Sequence, residues 1–179
     1  MASLAQQRMP MPSSPFWRCA HPRGTAPAVE LAVFSDVAAR VERSPGVVLY
    51  EAIEEGVPTD LVDLVARALR LPPSQVSKMI GVSATTLRRK RLTRKQLPEL
   101  AGHRLVGLLR IAAMFRRAPT QPDDVDRGTP FDFGGWLGDW LLTSHPGLDG
   151  RTPAHLLRNP EGLRVVEQLV ERMSGGRPA

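Results

Sequence analysis

Residues 74–95 read S-Q-V-S-K-M-I-G-V-S-A-T-T-L-R-R-K-R-L-T-R-K, and the reading of this stretch decides the fold. Two short helical segments are expected here, one over residues 74–80 and one over 84–92, joined by Gly81, Val82 and Ser83. A helix-turn-helix needs its helices to cross steeply through a tight turn that often contains Gly, and Gly81 supplies the backbone freedom. Val76, Ile80, Val82 and Leu87 fall where apolar side chains fill the angle between the helices, and Ser77 is small enough for their close approach. Ser83 stands as the N-cap of the second helix, whose first-turn amides then face an anion such as a phosphate.

The charge sits on that second helix. Six of the eight residues 88–95 are Lys or Arg, and none is acidic. Residues 64–119 hold thirteen basic side chains and one acid, Glu99, a net +12; the rest of the chain holds eleven basic and seventeen acidic, a net −6. Evenly spread charge would speak only of solubility, whereas a cluster on a groove-sized helix is the electrostatic footprint of a nucleic-acid binder. A merely solvated helix face mixes signs in Glu–Lys pairs one turn apart, and this one does not. Without interleaved aromatics there is no platform for stacking RNA bases. Early residues of a recognition helix reach base edges, so Thr85, Thr86, Arg88 and Arg89 are the candidate readers, Arg being able to bond guanine bidentately. Lys90, Arg91, Arg94 and Lys95 suit phosphates, which fix register without reading sequence.

Upstream, Thr59 reads as an N-cap and Asp60 as a first-turn acid, opening a helix to about Leu71 that puts Leu61, Leu64, Val65, Ala68 and Leu69 on one face. Pro72 and Pro73 end it. A helix is expected over residues 28–43, with Val33, Val37 and Val41 at helical spacing, then a shorter element over 47–56 closed by Gly56. Residues 1–27 carry Pro10, Pro12, Pro15, Pro22 and Pro27 among Ser, Gly and Gln, the composition of a disordered leader. Phe16, Trp17 and Cys19 are the leader residues able to touch the body.

Downstream, a longer helix is expected over 98–118, with Leu100, Leu105, Leu108, Leu109, Ala112 and Phe115 inward and Arg104, Arg110, Arg116 and Arg117 mostly outward. Residues 120–128 read as a polar linker. Beyond it Trp136, Leu137, Trp140 and Leu141 make an apolar stripe. Thr152-Pro153 and Asn159-Pro160 each set a capping side chain before a proline at the first helical position, predicting helices over 153–158 and 160–173. Few strand-like alternations occur. The chain is expected to be all-α: a disordered leader (1–27), a helix-turn-helix DNA-binding unit (28–119), a linker (120–128) and a small helical C-terminal unit (129–179).

Composition narrows the function. Apolar residues make up 42% of the chain and aromatics 5%, enough for aliphatic cores. The single Cys19 forms no intramolecular disulfide and fits a reducing compartment. The histidines at 21, 103, 145 and 155 have no metal-ligand spacing. No apolar run approaches about 18 residues, and no secretory signal opens the chain. These features point to a cytoplasmic protein with no metal, no cofactor and no membrane span. No nucleophile–base pairing is visible, so it is read as non-enzymatic.

The C-terminal unit then resembles a known pattern. Trp140-Leu141, Pro146, Leu148-Asp149-Gly150, Thr152-Pro153, Leu156-Leu157, Gly162, Val166 and Arg172 with Gly176 resemble, in order, the toxin-binding domain of the Xre/MbcA/ParS antitoxins. Leu49-Tyr50-Glu51-Ala52-Ile53 with Gly56 resembles that family's opening segment. Ile80-Gly81-Val82-Ser83, Thr86-Leu87, Arg88-Arg89 and Leu92-Thr93 resemble its helix-turn-helix. The resemblance covers about residues 47–176 and implies a type II antitoxin that represses its own operon at operator DNA and seals a RES-type toxin, which consumes or transfers ADP-ribose from NAD. It implies a homodimer within a toxin–antitoxin complex. It also implies that the C-terminal end approaches the toxin's active site, with Arg172, Gly175 and Gly176 nearest the pocket; Trp140, as a rim aromatic able to anchor a partner, and Leu156 are further candidate toxin contacts. Nine acids against six bases after residue 120 suit a protein partner better than DNA. The alternative is a stand-alone helix-turn-helix repressor whose C-terminal unit dimerises or senses a ligand.

Overall fold

The computed structural model describes residues 15–17, 26–117 and 131–174, and every regular element among them is helical. The helices are α1 (Pro27–Arg43), α2 (Gly46–Glu54), α3 (Asp60–Ala68), α4 (Pro73–Met79), α5 (Ala84–Leu92), α6 (Glu99–Arg117), α7 (Phe133–Leu142), α8 (Pro153–Leu156) and α9 (Pro160–Ser174). One isolated antiparallel bridge pairs His145 with Arg151. The expected linker 120–128, the C-terminal Gly175 and Gly176, and the leader apart from residues 15–17 and 26–27 lie outside the described residues.

The hydrophobic pattern explains which helix lies where. On α3 the buried set forms a broad face, Leu61, Val62, Leu64, Val65, Ala66 and Ala68, and leaves Asp60, Asp63 and Arg67 together on the opposite side. A helix with so broad an apolar face packs against several neighbours, and α3 lies against α1 and α4. Helix α6 lies along α1 and also meets α2 and α9. Its buried stripe runs through Ala101, Leu105, Leu108, Leu109 and Ala112.

Helix α7 reaches the core through two small residues one turn apart. A Cβ at Gly134 would collide with the Ala68 carbonyl oxygen, and one at Gly138 with that of Leu69. The pair thus seats α7 directly on the C-terminal end of α3. Phe115 of α6 meets Trp136 and Trp140 of α7 edge-to-face, at 5.0 and 4.7 Å between ring centres. One continuous core therefore runs from Phe34 and Val37 on α1 to Val166 and Leu169 on α9, so the boundary expected between 28–119 and 129–179 does not coincide with a division of the core.

Several expectations are corrected. Pro15–Trp17, in the part of the leader read as able to touch the body, forms a docked 3-10 turn: Trp17 is 1% exposed and its Nε1 donates to the Ala52 carbonyl at 3.1 Å. Arg40 Nη1 donates to the Phe16 carbonyl at 2.7 Å. Thr59 does not cap α3: it has helical φ and ψ and no side-chain capping bond. Instead Pro58 O accepts from the Leu61 N–H and leads the chain into the helix. Leu100, expected inward, is 53% exposed, because it lies one position off the buried stripe that starts at Ala101. Arg104, expected mostly outward, is partly covered, and its Nη1 donates to the Ile80 carbonyl.

Candidate nucleic-acid interface

The helix-turn-helix is built by α4, the turn and α5. Val76, Ile80, Val82 and Leu87 are all buried, and Ser77, 2% exposed, lets the helices approach. Gly81 takes φ +72°, the left-handed conformation that Gly adopts without cost. The Arg104 guanidinium lies where a Cβ at Gly81 would stand, tying the turn to α6.

Ser83 caps α5 as its sequence position suggests. Its Oγ accepts from the Thr86 N–H at 3.1 Å, and its hydroxyl donates to Thr86 Oγ1 at 2.9 Å. Thr86 is thereby occupied in the cap and half-buried, while Thr85, Arg88 and Arg89 are exposed. At the other end, Lys95 N–H reaches the Lys90 carbonyl and Arg94 takes φ +49°. This is the left-handed helix stop in which Gly usually stands; here an arginine stands there. Arg89, Lys90, Thr93 and Lys95 line a surface concavity at that end.

Much of the positive charge is spent inside the fold. Arg67 pairs with Glu30, Arg70 with Asp132, Arg91 with Asp63, Arg110 with Glu167 and Arg117 with Glu42. Every one of those acids comes from outside the basic window. Arg116 lies over the Phe133 ring, 5.1 Å from its centre. No ion pair among the described residues includes Arg88, Arg89, Lys90, Arg94 or Lys95. Most of the unpaired charge of this window is thus on α5 and the turn after it, with Lys78 on α4 and Arg104 and Arg116 on α6 also outside any ion pair among the described residues. Chemically, that surface can hold polyanions.

Arg91 departs from its neighbours. It follows buried Leu87 by one turn, so it leaves α5 on the face turned toward the body. Its Nη2 donates to Asp63 Oδ1 of α3 at 2.5 Å. Burial pushes the Asp63 carboxyl above its ordinary range, against the opposing pull of the Arg91 and Arg67 guanidinium groups. This pairing has no local signal in the sequence, since 28 residues separate the partners.

In the C-terminal unit the caps form as expected: Thr152 Oγ1 accepts from the His155 N–H and Asn159 Oδ1 from the Gly162 N–H. Trp140 lies in the core at 7% exposure, and its Nε1 donates to His145 Nε2 at 3.0 Å, so it braces the unit from within. Leu156 is half-buried and Arg172 exposed. Helix α9 buries Val166, Leu169 and Val170 and leaves Val165 and Met173 half-covered. An apolar groove between α2, α6 and the start of α9, lined by Leu49, Leu100, His103, Leu157 and Leu163, opens beside this unit.

Among the described residues no helix is long and apolar enough to cross a membrane, and no group of three or more His, Cys, Asp or Glu could hold a metal ion. Comparison with known families gives two matches. Residues 48–110 match the antitoxin Xre-like helix-turn-helix domain. Residues 134–176 match the antitoxin Xre/MbcA/ParS C-terminal toxin-binding domain. No curated protein matches the chain.

Proposed function

We infer, from a chain that carries both domains of an Xre-type antitoxin, that it neutralises a RES-type toxin by direct binding and represses the operon encoding the pair. The observation that carries this reading is the union, in one chain, of an unneutralised basic recognition helix with a toxin-binding unit. On this reading α5 enters the major groove, where Thr85, Arg88 and Arg89 reach base edges and Lys90, Arg94 and Lys95 reach phosphates. A homodimer in the cytoplasm supplies two such helices to a two-fold operator. Neither domain family is enzymatic, and the chain acts by binding alone.

The toxin end of the reading rests on α9 and the residues beyond its C-terminus. Val165 and Met173 are apolar side chains half-covered by the fold. Arg172, with Gly175 and Gly176, which carry no side-chain bulk, supplies the residues read as reaching the toxin's pocket. Deleting residues 172–179 is therefore expected to preserve folding and DNA binding and to abolish protection. The assay is growth of cells expressing the neighbouring RES-type reading frame with the full or shortened chain, alongside circular dichroism of each. Equal rescue by both chains would remove the C-terminal end from the inhibitory surface. Absence of any rescue or co-purification would leave the stand-alone repressor as the better reading.

A further inference from the structure

Arg91 is the one member of the basic cluster that the fold has claimed for itself. Its partner Asp63 belongs to α3, with Arg67 and Asp60 as the other charges facing that carboxylate. Arg67 is itself held by Glu30 at 2.6 Å. The Arg91 and Asp63 side chains remain 31% and 29% exposed, so the pair lies at the rim of the seam between α3 and α5 rather than beneath it. Ion pairs open to solvent at the rim contribute little to stability, and the buried Leu87 already holds α5 to the body. The Arg91 Nε is buried without a hydrogen-bond partner, so the bond from Nη2 to Asp63 is what holds the guanidinium.

We propose that Asp63 holds Arg91 in reserve: its carboxylate occupies the place on that guanidinium that a DNA phosphate would take, and so sets the strength of duplex binding without altering which sequence is preferred. A carboxylate and a phosphodiester present the same anionic oxygens to a guanidinium, and each excludes the other from the same N–H. Around Arg91, residues 88, 89, 90, 94 and 95 are basic and carry no such internal partner, so an Arg91 released from the rim of the body-facing side can swing toward their surface and add one phosphate contact. Asp63 is thus a positioning residue, acting through Arg91. The inference rests on the DNA-binding reading of α5.

The test is an anisotropy titration of the full chain with two duplexes, the promoter of its own gene and an unrelated sequence of equal length, between 50 and 200 mM KCl. Asp63→Asn is compared with the parent and with the double variant Asp63→Asn/Arg91→Ala. One added phosphate contact steepens the dependence of log K on log salt by about 0.9. The advantage of Asp63→Asn over the parent should therefore shrink about 3.5-fold across that salt range, equally on both duplexes. In the double variant the slope should return to the parental value. An unchanged slope in Asp63→Asn overturns the proposal. So does a steeper slope that survives in the double variant, since removal of a negative charge alone would then explain it. Should Asp63→Asn lose the native circular-dichroism spectrum, Asp63→Ser takes its place under the same criteria. A parent chain that binds neither duplex would instead sink the DNA-binding reading itself, and the reserve with it.

Discussion

At the scale of single residues, position on α5 decides what each cation does. Arg88 and Arg89 are exposed and carry no ion pair. Replacing both with Ala should cost about 1–3 kcal/mol for each base edge that goes unread and relax sequence preference, measured in a mobility shift against promoter and unrelated duplexes. Asp63 makes a different prediction. The fold binds its proton more tightly than the unfolded chain does, so this group's contribution to stability is present below the ordinary carboxylate range and is lost as pH rises through its raised value. Asp63→Asn should accordingly hold or raise the melting temperature at pH 7, and the difference should vanish as the pH falls into the carboxylate range. A melting temperature clearly lowered at pH 7 would show that the pairing with Arg91 outweighs the burial of the carboxylate. Trp17 is the residue whose removal should be felt most. Trp17→Ala empties a fully buried site and strands the Ala52 carbonyl, at a cost of about 3–5 kcal/mol in urea unfolding. That is a large share of the roughly 5–15 kcal/mol that holds a domain together.

At the scale of elements, the end of α5 carries a conflict between stability and charge. Arg94 stands at φ +49°, where an L side chain costs about 1 kcal/mol that Gly does not. Arg94→Gly should thus stabilise the fold by up to about that amount while weakening all duplexes alike and flattening the salt dependence. Thermal melts and the titration slope together check it, and a variant both more stable and equally tight on DNA would separate Arg94 from the interface. Element boundaries are legible in the sequence wherever a side chain acts on its own neighbourhood. Pro72-Pro73, the Ser83 cap and the Thr152-Pro153 and Asn159-Pro160 steps all mark helix ends through local backbone chemistry. Thr59 misleads because burial and the turn at Pro58 override its capping preference. The recognition helix is legible too, since its charge is contiguous. Contacts between distant residues are not: Trp17 on Ala52, Arg91 on Asp63, and the Gly134 and Gly138 approach to the end of α3. No periodicity announces a partner 28 or 35 residues away. The depth of Trp140 likewise depends on Phe115 and His145, not on its own segment.

At the scale of the whole molecule, the unit read as DNA-binding and the unit matched as toxin-binding share one core. We propose that they fold as one. Urea unfolding followed by tryptophan fluorescence and by far-ultraviolet circular dichroism should give coincident single transitions. A fragment of residues 129–179 should be largely unfolded alone, because it loses the Ala68, Leu69 and Phe115 surfaces on which α7 rests. Two separated transitions, or a folded fragment, would restore independent units joined by a linker.

The seat of α7 on the end of α3 carries a thermodynamic obligation. α3 holds Asp63, which pairs with Arg91 of α5; α7 lies in the unit matched as toxin-binding. A shift of α7 by a fraction of an ångström presses two glycines against the Ala68 and Leu69 carbonyl oxygens, backbone atoms that yield little. Whatever factor the toxin imposes on operator affinity, the operator must impose on toxin affinity, for coupling free energies are reciprocal. Occupancy of the promoter and the titre of free toxin thus become two readings of a single equilibrium.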